Sequence, residues 1–127
     1  MINKDKEVGG THYADMKVEP IEVIEALNMN FIQGCILKYI SRYRHKGGIE
    51  DLKKALHYAK IGAGKDKESI LFVEIHSEKR KLIVKMFCVI NGLDETDQLA
   101  IEYASCEKYD RCAETIERII SNMEDEE

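Results

Sequence analysis

One stretch, Lys38 to Tyr58, constrains the fold more than any other part of the chain. It reads KYISRYRHKGGIEDLKKALHY, two amphipathic helices joined at Gly47-Gly48. At about 100° per residue, Ile32, Ile36, Tyr39, Ile40 and Tyr43 share one stripe of the first helix, and Lys38, Arg42, His45 and Lys46 share another. Asn30 is placed to cap that helix, which is predicted from Phe31 to about Lys46. Gly47-Gly48 ends it. The second helix is predicted from near Ile49, with Glu50 and Asp51 in the first turn, where acids offset the helix dipole. Ile49, Leu52, Ala55, Leu56 and Ala59 form its core stripe, and Lys53, His57 and Lys60 its polar one.

The flanking segments extend a helical pattern. Pro20 suits the first position of a short helix carrying Ile21, Ile24, Ala26 and Leu27 and ending near Asn28. Gly62-Ala63-Gly64 breaks the pattern, and Lys65 to Ser69 reads as a linker. Ile70-Leu71-Phe72-Val73 could open a strand. Leu82, Ile83, Met86, Phe87, Val89 and Ile90 then cover a broad helical arc, which calls for a central helix or a subunit contact. Asn91-Gly92 ends it, Asp94 caps a short helix to about Ser105, and Tyr109, Cys112, Ala113, Ile116, Ile119 and Ile120 mark a last amphipathic helix. The expected fold is mainly α, a compact helical domain of about five to six helices, with a short strand near 70–75 as the one β element. Residues 1–64 form one helical domain, and 65–127 an extension that packs on it or forms a subunit contact.

With 127 residues, eight glycines and one proline, the composition leans away from turn-rich β folds. The net charge is −5, but unevenly placed: residues 1–64 hold ten Lys/Arg and eight Asp/Glu, or +2, and residues 65–127 hold nine and sixteen, or −7. An anion site therefore belongs to the first half. A sequence pI near 5.4 argues against DNA or RNA as partner, since a duplex binder, for one, carries a domain-wide positive field. No apolar run reaches the roughly 18 residues of a membrane span, and Met1 to Gly10 has no signal-peptide core, so an intracellular protein is expected. Cys35, Cys88, Cys106 and Cys112 form no C-x-x-C pair, which fits free thiols rather than a metal site.

Basic helix faces are commonly just solvated, yet two joined by a tight turn can converge on one anion. Tyr13, Tyr39, Tyr43 and Tyr58 supply rings that could stack on a base. Arg binds two phosphate oxygens at once through its planar fork. Together they point to an anionic ligand carrying a base or sugar, a nucleotide. Gly62-Ala63-Gly64-Lys65 is not a P-loop: Ala59 and Asp66 replace the required Gly and Ser/Thr, and a helix precedes it. Glu22 and Glu25 form an E-x-x-E pair that could hold Mg²⁺ only with a second acidic pair, and Glu50-Asp51 is followed by Lys53 where that pair would need an acid. His45, His57, Cys35 and His76 lack zinc-ligand spacing.

Residues 9–59 resemble a small tailed-phage family through G-G-T-H-Y (9–13), P-I-E (20–22), F-I-Q-G (31–34), K-Y-I-S-R (38–42), K-G-G-I-E-D-L-K-K-A (46–55) and H-Y-A (57–59). Its members are described as a domain of unknown function or as nucleotide kinases, and one is a coliphage deoxynucleoside monophosphate kinase without a P-loop. The resemblance covers about 40% of the chain. It implies a helical, oligomeric protein of the host-cell cytoplasm that binds deoxynucleotides and phosphorylates the monophosphates with ATP and Mg²⁺. A non-catalytic protein that sequesters a bacterial nucleotide signal is the alternative, so enzymatic activity stays open. By the resemblance, His12, Tyr13, Lys38, Arg42, Lys46, Asp51, Lys53 and Lys54 match the family pattern. Lys38, Arg42 and Lys46 would hold phosphates, with Lys38 and Arg42 as the catalytic pair. His12 would touch a phosphate oxygen, and Tyr13 or Tyr39 would stack on the base. His57 shares the basic face with Lys53. Asp51 would cap its helix, orient Arg42 or hold Mg²⁺, with capping preferred. The chain departs from its relatives at Cys35, where many have Asn or a small polar residue. Arg42→Ala is expected to abolish ligand binding while leaving helicity intact.

Overall fold

The computed structural model describes residues 17–65 and 77–126. Six helices account for most of them, and there is no strand among the described residues. They are α1 (Pro20–Ala26), α2 (Phe31–Arg42), α3 (Gly48–Ala63), α4 (Ser77–Ile90), α5 (Glu95–Ser105) and α6 (Tyr109–Glu126). His12, Tyr13 and the strand considered near 70–75 lie outside the described residues.

Local chemistry sets most helix ends. Asn30 caps α2 as expected: its side chain accepts from the Gln33 N–H at 2.8 Å, and Gln33 Oε1 accepts from the Asn30 N–H at 2.9 Å. Asp94 and Asp97 make the same reciprocal pair at the start of α5. Glu22, half of the E-x-x-E pair, serves α1 similarly by accepting from the Glu19 N–H at 2.7 Å. Helix α4 ends with Gly92 at φ +74° while the Leu93 N–H reaches back to Cys88 O at 2.9 Å. Helix α5 ends with the same bond pattern around Glu107, a non-glycine residue at φ +59°.

Helix α2 stops at Arg42, one turn before the expected Lys46. Its last bonds tighten as His45 N–H and Lys46 N–H both reach Arg42 O at 3.0 Å, and residues 43–47 become a turn. Cross-contacts pairing 42 with 51, 39 with 54 and 31 with 58 show that α2 and α3 run antiparallel. Helix α3 runs on through Gly62 instead of breaking there. Gly62 is buried, and a Cβ at that position would come within 2.6 Å of the Tyr109 ring. The glycine lets α6 close onto α3.

Both halves of the chain contribute to one core. Ile36, Leu37, Ile40, Leu52, Ala55 and Ala59 meet Val84, Phe87, Ile101, Ala104, Cys112 and Ile116 there. Of the two roles its apolar arc called for, a central helix or a subunit contact, α4 does not take the first. Val84, Phe87 and Cys88 are buried, but Leu82, Met86, Val89 and Ile90 face solvent. In α1 the inward residue is Val23, and Ile21 is exposed.

Candidate functional site

On α2, Phe31, Cys35, Lys38, Tyr39 and Arg42 are spaced i, i+4, i+7, i+8 and i+11 and so lie on one face. On α3, Glu50, Lys54, His57, Tyr58 and Ile61 repeat that spacing. The antiparallel pair sets the two faces side by side. Tyr39, Glu50, Lys53, Lys54, His57 and Tyr58 line a shallow, open depression of about 380 Å³.

Two aromatic rings form its floor. Tyr39 and Tyr58 lie nearly parallel, 14° apart in orientation, with centroids 6.3 Å apart. Cations surround the Tyr39 ring: Lys38 Nζ at 4.7 Å, Lys54 Nζ at 5.5 Å and the Arg42 guanidinium carbon at 5.5 Å from its centroid. Such contacts exploit the negative face of the ring and gather positive charge over it. Beyond the depression, Phe31 meets Tyr58 edge-on at 5.8 Å and is 74% exposed. Cys35, next to Tyr58, is buried. The Tyr58 phenol is held above its ordinary pKa, first by Cys35 beside it and then by desolvation. Position 35 therefore adjoins the platform on its Tyr58 side.

Arg42 has a second partner. Its Nε and Nη2 donate to the two Asp51 carboxylate oxygens at 2.9 and 3.1 Å. The Asp51 side chain is 1% exposed and that of Arg42 21%. Of the three roles considered for Asp51, it takes that of orienting Arg42. A Cβ on Gly47 would overlap the Asp51 carboxylate, so the glycine in the turn leaves room for this pair.

The structure brings Lys38, Tyr39, Arg42, Asp51, Lys53, Lys54 and His57 together. Lys46 stands apart, exposed in the 43–47 turn and outside the lining. Tyr43 is not a stacking ring: it is buried, and its hydroxyl donates to Asp97 Oδ1 at 2.7 Å. Burial and that bond push its phenol well above the ordinary range. Gly34 faces α1, with the Ile24 side chain 3.3 Å from where its Cβ would be. Glu50 and Phe31 were not among the expected site residues, and Tyr58 was anticipated only as one of several rings. The repeated i, i+4, i+7, i+8 spacing is the signal that would have found all three.

The donor set does not fit a protein-held Mg²⁺. Both Asp51 oxygens accept from Arg42, which leaves Glu50 as the only carboxylate lining the depression among the described residues. Nor does any group of three or more His, Cys, Asp and Glu among the described residues have metal-binding geometry. No helix among them is long and apolar enough to cross a membrane.

The fold and site define an all-α protein with an aromatic floor rimmed by cations, built on an antiparallel helix pair. Residues 8–60, which include α1, α2 and most of α3, match a family described as a protein of unknown function, DUF3310. No curated protein and no solved structure matches the chain.

Proposed function

We propose that the α2–α3 face binds a nucleotide, with the base on the Tyr39–Tyr58 floor and the phosphate among Lys38, Lys53 and Lys54. The observation that carries this reading is the convergence of three cations on one ring of a near-parallel tyrosine pair. A base has a π-face to stack on a ring, and a phosphate needs positive charge close by. The lysines sit where one ligand can use both.

The resemblance to phage proteins extends the reading to phosphorylation of deoxynucleoside monophosphates with ATP, in a phage protein acting in the host cytoplasm. A second reading has a specific observation in its favour. Arg42 is tied to a buried carboxylate, so two of its N–H groups are spoken for before any ligand arrives. That suits a protein that holds a nucleotide without turning it over, sequestering a bacterial nucleotide signal. A homo-oligomer fits either reading, supported by the solvent-facing Leu82, Met86 and Val89 of α4.

The test is a product assay. The purified protein is mixed with ATP·Mg²⁺ and a panel of nucleoside monophosphates and cyclic nucleotides, then resolved by ion-exchange chromatography. New diphosphate, lost in Lys54→Ala, establishes the kinase. One nucleotide retained unchanged selects the binding protein. Neither product nor retention refutes the nucleotide reading.

A further inference from the structure

Three features of the α2–α3 face fit poorly with a lone mononucleotide as its full ligand. The depression is shallow and open, whereas small-molecule sites enclose most of their ligand. Aromatic surface does not stop at the depression, because Phe31 stands beyond Tyr58, its ring turned 77° to that of Tyr58 and 74% exposed. The three rings follow one another at 6.3 and 5.8 Å along the helix pair, with Lys38 and Lys54 beside the first.

Resting on the nucleotide reading, we infer that this face takes a single strand of nucleic acid, one base on the Tyr39–Tyr58 floor and a neighbouring base on Phe31. Single-strand binding needs no deep pocket. Successive bases stack one-sidedly on exposed rings while basic side chains follow the backbone, and every base has a π-face to offer. A row of rings longer than one base, with positive charge at one end, suits a strand better than a single nucleotide. The acidity of the rest of the chain does not oppose this. Residues 65–127 carry −7 and repel polyanions, which confines a strand to the basic face. A duplex is a poorer fit, because its bases are hidden from the rings.

The test uses the full chain and fluorescence anisotropy. The probes are a labelled oligothymidylate of about eight residues, within the usual site sizes for such proteins, its ribo-counterpart, dTMP as competitor, and a duplex of the same length. Either single strand is expected to bind more tightly than dTMP. With Lys38, Lys53 and Lys54 engaged, log K should fall against log salt with a slope of about −2. Phe31→Ala should weaken strand binding roughly tenfold, while dTMP competition at the Tyr39–Tyr58 floor stays as in the parent, because Phe31 does not line the depression. Strands no tighter than dTMP would overturn the inference and leave the nucleotide reading standing. Equal competition by the duplex would also overturn it, since the attraction would then be charge alone. Binding of neither strand nor dTMP would remove both readings. Should Phe31→Ala prove unstable, the strand-to-dTMP ratio and the salt slope of the parent protein decide the matter.

Discussion

Arg42→Ala is the most informative single substitution, because the structure makes its cost calculable. Arg42 forms an ion pair with Asp51, whose side chain is 1% exposed. Removing one member of a buried pair leaves an uncompensated charge and costs about 3–5 kcal/mol. The Arg42 side chain is 21% exposed, so water partly shares its role and the lower end of the range applies, about 3 kcal/mol. Against a typical domain stability of about 5–15 kcal/mol this is a large fraction. It corresponds to a Tm lowered by roughly 10 °C in a chain of this size. Asp51→Ala should cost less, about 1–2 kcal/mol, because the guanidinium left behind can reach solvent. The double variant Arg42→Ala/Asp51→Ala should therefore be more stable than Arg42→Ala alone. Urea denaturation of the parent, the two single variants and the double variant closes the cycle. If Arg42→Ala melts within about 2 °C of the parent, a shift well under 1 kcal/mol, the pair is no strut. The sequence-based expectation, that this substitution removes ligand binding and spares the fold, would then stand.

The other predictions concern packing, pH and thiols. Gly62→Ala gains about 1 kcal/mol of helix propensity but presses a methyl into the buried Tyr109 ring, for which overpacking costs about 1–3 kcal/mol; a net loss is expected in urea melts, and a gain would show that α6 can shift. Burial raises the Asp97 pKa above the ordinary 3.8, more than the Tyr43 hydrogen bond and Arg44 lower it. The folded state then binds the extra proton between 3.8 and the raised value, so the Asp97 contribution to stability falls as pH rises through that window. The stability gap between parent and Asp97→Asn should move in favour of Asn over the same window, and the opposite slope would refute the assignment. Burial lifts the Cys88 and Cys112 thiols to about 12, so at pH 8 a maleimide should label half-buried Cys106 first and reach those two only on unfolding.

How much of this was legible in the sequence depended on whether the signal was local. The caps at Asn30 and Asp94 and the Asn91-Gly92 stop are set by neighbouring residues, and each appears where its motif stands. Gly62 looked like a helix breaker because its reason for being glycine is Tyr109, 47 positions on. The arc of α4 was correctly apolar, but periodicity cannot say which side of an arc finds cover. The site suffered from a two-stripe description. Tyr39 was placed on the apolar stripe and Lys38 and Arg42 on the basic one opposite, whereas all three share the border between the stripes, where a half-buried ring can hold cations. Asp51 read first as a capping, helix-dipole acid, with orienting Arg42 as one alternative, and the antiparallel pairing across the turn selects that alternative.

The geometry of the α2–α3 face is maintained from outside the segment that matches the family. At the start of α2, Gln33 Nε2 donates to Ala104 O and Ser105 O at 3.0 and 3.2 Å, and Asn30 Nδ2 donates to Glu107 Oε1 at 3.2 Å. At its far end, Tyr43 and Arg44 hold Asp97, at 2.7 and 3.0 Å, and Arg44 also reaches Asp94 at 2.6 Å. All these partners lie beyond residue 60. Helix α2 is thus fastened at both ends to the α5–α6 unit, and α3 is packed on α6 through Gly62 and Tyr109. Two helices joined by a short turn would otherwise be free to slide or splay, and a slip of one turn, about 5.4 Å, would part Lys54 from the Tyr39 ring. The acidic second half of the chain therefore fixes the register of the basic first half. Its own carboxylates contribute to this: Asp94 and Asp97 act as anchors for the turn and so stay well apart from the cation-rimmed floor.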